Sequence, residues 1–271
     1  MVGFRARAKG NHVTTILETR GLNKNFGAVT AAVDINVAVE KDSVLGLIGS
    51  NGAGKTTFIN MVTGYLKPSS GSIHFLSEDI TAMLPRQITR LGICRSFQIP
   101  QLYNSMSVFD NLLVGVGIVA SAGGTWTAEN VRNASLNDSV EQMLEQFRLT
   151  EYRDKLADTL PEGVRKLLDI AMAMVVRPKI LLLDEPTSGV SADEKFVLMD
   201  RVMQAVRALG VTVLFVEHDM DIVARYVHRV IAFYEGRIIA DGDPAKVLDD
   251  AEVRRYVIGE ALQGEAGHAA H

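Results

Sequence analysis

Hydrophobic and polar positions alternate over part of the segment 15–48. Val33, Ile35, Val37 and Val39 fall on one face, with Asp34 and Asn36 among the residues between them. A period of two predicts a half-buried antiparallel strand. Ile73 and Phe75 alternate with Ser72 and His74 after a turn at Gly71 and repeat the pattern. Three other apolar stretches do not alternate: Val44–Ile48, Ile180–Leu183 and Val211–Val216. Short continuous runs of this kind predict buried strands of a parallel sheet. Ile59, Val62 and Leu66 have helical spacing and predict a helix from Thr56 through Leu66, stopped by Pro68. Val140, Leu144 and Phe147 share one helical face, and Val164, Leu167, Leu168, Ala171, Met174 and Val175 form a second stripe. From about 104 to 176 the chain reads as mainly helical, with a loop at Ser121–Gly124; β/α alternation returns over 177–245. The expected fold class is α/β: a parallel core, an antiparallel β layer near its start and an inserted helical part.

Composition narrows this picture. The chain has 271 residues, 47% hydrophobic and 22% charged, as in a globular protein with a sizeable core. A net charge of -4 gives no electrostatic footprint for nucleic acid. Cys94 has no second cysteine to pair with; in Leu91-Gly92-Ile93-Cys94 it reads as a small core residue, and it fits a reducing compartment. No run of 18 or more apolar residues occurs, so the expectation is a cytosolic chain that reaches a membrane only through a partner.

The most informative stretch is Gly49-Ser50-Asn51-Gly52-Ala53-Gly54-Lys55-Thr56-Thr57. It places Gly49, Gly54, Lys55 and Thr56 where the phosphate-loop pattern requires them, after an apolar strand and before a helix. Glycines let the backbone curl until several N–H groups point at one anion, and the helix N-terminus adds partial positive charge. Lys55 supplies a point charge for the β- and γ-phosphates, and the Thr56 hydroxyl is placed to ligate Mg²⁺.

Other strand ends add chemistry. Ile180–Leu183 runs directly into Asp184 and Glu185. The C-terminal end of a parallel strand faces the ligand crevice, so Asp184 is placed to hold Mg²⁺ and Glu185 to orient or deprotonate a water. Alone, such an acidic pair would read as a helix start; after a phosphate loop the ligand reading is stronger. Val211–Val216 ends in Glu217-His218-Asp219, which puts His218 at the same edge as a γ-phosphate contact. Gln98 follows Arg95-Ser96-Phe97 just before the helical part, where a neutral amide can reach Mg²⁺ or the water.

Lined up, these residues resemble an ATP-binding cassette over about residues 14–259. The resemblance makes Gly49–Thr57 the Walker A loop, Gln98 the Q-loop residue, Ile180–Glu185 the Walker B strand with catalytic Glu185, and His218 the switch histidine. It places Phe26 where the family stacks an aromatic on adenine. It implies a P-loop (RecA-like) core with an N-terminal antiparallel β subdomain and an inserted α-helical subdomain. The expected divisions are a tail at 1–13, the β subdomain and first part of the core at 14–98, and the helical subdomain at 99–176. The second part of the core follows at 177–245, then a C-terminal helix at 246–259 and a tail at 260–271. The cofactors implied are ATP and Mg²⁺.

The subtype looks like the ATPase subunits of branched-chain amino-acid importers. The clues are Arg95-Ser96-Phe97-Gln98, the stretch Met106–Gly115, the long insert and the ending Gly236–Pro244; relatives carrying urea, amides or lipopolysaccharide share much of this. Such a subunit sits at the cytoplasmic face of the inner membrane, against permease subunits and a second ATPase subunit, with an extracytoplasmic solute-binding protein acting indirectly. Tyr103, Met106, Val108, Phe109 and Leu112 read equally well as the apolar side of a permease groove or as core of the insert. The signature position, usually Leu-Ser-Gly-Gly-Gln, holds Leu160-Pro161-Glu162-Gly163-Val164, and Ser191 stands where the D-loop usually has Asp. Pro161 lacks both the serine hydroxyl and an N–H, and Glu162 brings a carboxylate near an anion. The expectation is pairing with a different cassette that supplies a standard signature. The alternatives are a soluble cassette ATPase acting on ribosomes or DNA, and a nucleotide-sensing subunit with little turnover.

Overall fold

The computed structural model describes residues 14–96, 102–120 and 134–259. Two sheets organise them. A four-stranded antiparallel sheet has the order β2-β1-β4-β5, from β1 (Thr15–Phe26), β2 (Val29–Glu40), β4 (Ser70–Phe75) and β5 (Glu78–Asp79). A six-stranded sheet has the order β10-β9-β3-β8-β7-β6, from β3 (Val44–Gly49), β6 (Ile93–Ser96), β7 (Ile180–Asp184), β8 (Thr212–Val216), β9 (Arg229–Tyr234) and β10 (Arg237–Gly242). Every pairing in the second sheet is parallel except β9 with β10.

The continuous apolar runs are explained by burial on both faces. Leu181 and Leu183 of β7, with Val213 and Phe215 of β8, pack into a cluster under the helices. Ile180, Leu182, Leu214 and Val216 point the other way, into a cluster shared with the antiparallel sheet and α1 (Lys55–Val62). A strand covered on both sides has no polar position to alternate with.

The alternating strand behaves differently at one point. Ile35, Val37 and Val39 are buried as expected, but Val33 is half-buried and Ala32 takes the inward place. Asp34 adopts φ 49, and the register against β1 shifts between Leu22 and Lys24. This is a bulge, and one extra residue flips the face of everything beyond it. Val33 N–H is thereby free to donate to Gly236 O in the β9–β10 turn, at 2.8 Å.

Among the described residues the remaining α-helices are α2 (Pro85–Leu91), α3 (Val108–Ala120), α4 (Ala134–Gln146), α5 (Glu162–Met174), α6 (Ala192–Leu209), α7 (Met220–Tyr226), α8 (Pro244–Asp249) and α9 (Ala251–Val253), which a π-helical turn at Arg254–Ile258 follows. Val140, Leu144 and Phe147 are fully buried, as are Leu168, Ala171 and Met174 of α5. Val175 is only partly buried. Three expectations change. Helix α1 ends at Val62, where Gly64 (φ 75) reverses the chain before Pro68 is reached. The expected C-terminal helix at 246–259 is broken at Asp250, whose extended backbone caps a new turn. Val108 and Leu112 belong to the core rather than to a groove, whereas Tyr103 and Met106 are exposed and Phe109 packs at the core's margin. The expected tails, the loop at Ser121–Gly124 and the Gln98 position lie outside the described residues. Among those described, no helix is long and apolar enough to cross a membrane.

Candidate nucleotide site

The carboxyl ends of neighbouring parallel strands meet at one edge of the six-stranded sheet. Register pairs Leu47 of β3 with Val216 of β8, and Val216 in turn with Asp184 of β7. The turns that leave β3, β7 and β8 therefore emerge side by side. Together they line a cleft of about 120 Å³, with Asn51–Thr57 on one wall and Glu185, Val216 and His218 on the other. Among the described residues, two larger cavities of about 250 Å³ each lie elsewhere: one at the opposite end of the sheet by Ser43 and His228, one between the segment after α1 and α5 by Tyr65 and Met172. Neither has a curled loop of backbone donors, so the smaller polar cleft is the stronger candidate.

Backbone crowding explains the glycines of the loop. A Cβ on Gly49 would lie 2.6 Å from Phe233 O, and one on Gly54 would lie 2.9 Å from Ala31 O. Gly54 also has φ 108, which a side chain would strain. The loop is braced from outside, because Gly236 N–H donates to Ala53 O at 2.9 Å. Helix α1 then starts at Lys55, leaving its first N–H groups without intrahelical acceptors, as an anion requires.

Lys55 is buried, and its ammonium folds back to donate to Gly49 O at 2.6 Å and Ser50 O at 3.0 Å. Burial holds its pKa below the usual lysine value, against the opposing pull of Glu185 and Asp184. A buried cation resting on neutral carbonyls gains strongly from an arriving anion. Thr56 is exposed at the mouth of the cleft and Thr57 is half-buried beside it.

Asp184 ends β7 with a carboxylate that is 11% exposed and paired through Oδ2 with the Arg95 guanidinium. Arg95 also donates to Asn60 Oδ1 of α1 at 2.7 Å. Glu185 follows in the left-handed region, φ 49, a conformation costing a non-glycine residue about 1–3 kcal/mol. Several bonds hold it there. Its N–H donates to Val216 O at 3.0 Å, and its carbonyl accepts from Lys166 Nζ of α5 at 3.0 Å. Its Oε1 faces His218 Nε2 at 3.2 Å. Glu217, buried, anchors the turn from the β8 side: Oε1 accepts from Thr187 N–H at 2.9 Å and from its hydroxyl at 2.6 Å, and Oε2 from His218 N–H at 3.1 Å. The arrangement offers a carboxylate beside an imidazole, opposite a lysine in a phosphate-shaped loop, which suits activation of water against a bound phosphoryl group.

A family model described as ABC transporter matches residues 32–188. The chain belongs to the ABC transporter family. It is 36% identical over 249 residues, 90% of its length and 95% of the relative's, to a probable branched-chain amino acid transport ATP-binding protein of Archaeoglobus fulgidus. It is 34% identical over 252 residues, covering 91% and 98% of the two chains, to a high-affinity branched-chain amino acid transport ATP-binding protein of Pseudomonas aeruginosa. Among solved structures it resembles the ADP conformation of an ATP-binding cassette of an ABC transporter, with a TM-score of 0.80 and 32% identity, covering 91% of this chain and all of the other. The cassette binds ATP and hydrolyses it.

Within this cassette the expected residues fall into two groups. Asn51–Thr57, Glu185 and His218 converge on one cleft, with Ser50 just before that wall and Gly49 and Asp184 at the strand ends beneath. Phe26 stands apart at the tip of the β1–β2 hairpin, 51% exposed, with Lys24 Nζ 5.1 Å from its ring centre. Leu160–Val164 forms the start of α5: Leu160 and Val164 are buried, Pro161 stands at the N-cap position without a capping side-chain bond, and Glu162 is exposed in the first turn. Sequence reasoning passed over Arg95, Asn60, Lys166, Thr187 and Glu217. Arg95 and Glu217 were visible beside Gln98 and His218, but Asp184 lies 89 residues from Arg95 and Thr187 lies 30 from Glu217, so only the fold pairs them.

Proposed function

We propose that this chain is the ATP-hydrolysing subunit of a membrane importer for branched-chain amino acids or a related small polar solute. The observation that carries the reading is the convergence of the Lys55 loop with Asp184, Glu185 and His218 at one sheet edge. The named relatives supply the solute class.

The loop amides and Lys55 bind the triphosphate, Lys55 exchanging the Gly49 and Ser50 carbonyls for phosphate oxygens. Phe26 offers its exposed ring to the adenine. Thr56, Asp184 and Gln98 would hold Mg²⁺. One carboxylate with neutral oxygens is the donor set this ion takes when phosphates and water complete its shell, and once bound it would supply positive charge against the phosphates. Glu185 orients the attacking water and takes its proton, while His218 holds Glu185 and the γ-phosphate in line.

Two cassettes close head to tail on ATP and reset after hydrolysis, and the helical part passes this motion to a permease at the cytoplasmic face of the membrane. Exposed Tyr103 and Met106 belong to that contact. The solute-binding protein acts only through the permease, and nucleic acid takes no part. Pro161 and Glu162 at the start of α5 favour a second, different cassette as partner, because this helix start lacks a serine hydroxyl and carries a carboxylate.

Purifying the chain with its membrane partners, and measuring ATP-dependent uptake of labelled leucine, isoleucine and valine into vesicles carrying that complex, tests the reading. Uptake with a permease and a second cassette present is the expected result. Co-purification with ribosomes or DNA and no permease would contradict it. If the chain alone dimerises on ATP and hydrolyses at the rate of the whole complex, the heterodimer is wrong.

A further inference from the structure

Lys166 lies beside the apolar stripe of α5 and is nevertheless buried. Leu167, Leu168 and Ile170 around it are buried to 1% exposure or less, and Lys166 itself is 5% exposed. A lysine is almost never buried this far without a partner that rewards it. Its Nζ donates to the carbonyl of Glu185 at 3.0 Å. Four carboxylates, Glu162, Glu217, Glu185 and Asp169, act on its charge, while burial still leaves its pKa below the usual lysine value.

The bond matters because of the residue it reaches. Glu185 is held at φ 49, so its side chain is aimed by a backbone conformation that it would not adopt unaided. The turn is fixed from the β8 side by Val216 O and by Glu217 through Thr187. From the other side the contact is Lys166, on the helix that begins with Pro161–Val164. The Lys166 bond thus ties the Glu185 carbonyl to α5.

We propose that Lys166 is a positioning residue for hydrolysis, fixing the Glu185 backbone to α5 so that the carboxylate faces the attacking water and the helix start at Pro161–Val164 is mechanically tied to it. This rests on the reading of Glu185 as the group that acts on water.

The test uses the full chain in the complex purified from membranes, with kcat and the KM for ATP measured for Lys166→Met, Lys166→Arg, Glu185→Gln and the Lys166→Met/Glu185→Gln double variant. Misplacing a catalytic group by an ångström or so lowers turnover by about 10–100-fold. Lys166→Met should therefore lower kcat by about that factor with KM within about twofold, and Lys166→Arg should recover most of it. In the Glu185→Gln background the same change should add less than about a twofold loss, because the carboxylate it positions is gone. Should Lys166→Met fail to assemble, Lys166→Gln, which keeps a polar end on a shorter stem, reads the same quantities. Normal kcat in Lys166→Met beside a dead Glu185→Gln overturns the proposal and leaves the reading of Glu185 intact. Normal turnover in Glu185→Gln overturns both. An equal loss in both backgrounds, or a rise in KM that tracks a fall in Tm, makes Lys166 merely structural and overturns the proposal.

Discussion

Lys55 and Asp184 show how single side chains are held ready in this cleft. The lysine rests on two carbonyls of its own loop, and the aspartate rests on a guanidinium that bridges to α1. Removing one member of a buried ion pair leaves the other charge uncompensated, which costs about 3–5 kcal/mol. Arg95→Met should therefore destabilise the nucleotide-free chain by roughly 3 kcal/mol in urea unfolding. A loss below about 0.5 kcal/mol would show that Asp184 finds other partners. Cys94 gives a pH-dependent prediction. Burial pushes its thiol from the usual 9.0 up to about 12. The folded pKa exceeds the unfolded one, so the stabilising effect of the neutral thiol is fully present below 9.0 and is lost as pH rises toward 12. At pH 8 the folded chain should resist a thiol reagent that labels it at once in denaturant; rapid labelling of folded protein would contradict the burial. At this scale much was legible in advance. The cysteine, the loop lysine and the acidic pair each carried a local signal, a motif or an apolar flank. Arg95, Lys166 and Glu217 did not, because their roles are defined by partners far along the chain.

At the scale of elements, strand type was readable because burial on one face or on two leaves different patterns, as in β2 against β7 and β8. Element ends were harder. A helix was expected to run to Leu66, yet Gly64 ends α1, and it is glycine for a spatial reason. A Cβ there would lie 2.7 Å from Ile88 Cδ1 and 2.9 Å from Met83 O, in a backbone with φ 75. Those neighbours come from α2 and the segment leading into it, which no local pattern announces. Gly64→Ala should destabilise the chain by about 2 kcal/mol in denaturant unfolding while leaving ATP affinity unchanged, since the loop lies at the other end of α1. An unchanged midpoint would show that the turn relaxes without strain. The bulge at Val33 and Asp34 escaped for a similar reason: its function is to meet Gly236, a partner defined only by the sheet packing.

At the scale of the whole molecule, the two sheets bring three strand ends and a phosphate loop to one cleft, and α5 reaches Glu185 through Lys166. The P-loop core and antiparallel layer followed from periodicity and motif spacing. The coupling between them did not: the β9–β10 turn supports Ala53 and β2 together, and Lys166 joins α5 to Glu185. Under the proposed function, these two links would carry a change at the triphosphate to β2 and to α5. In the proposed function Glu185 acts on the water that cleaves ATP held by the Lys55 loop. The most direct measurement is ATP binding and turnover by Glu185→Gln in the purified complex. Nucleotide affinity should stay within about twofold of the unmodified protein while kcat falls by roughly a hundredfold or more. Turnover that stays normal in Glu185→Gln would remove Glu185 from the cleavage of ATP.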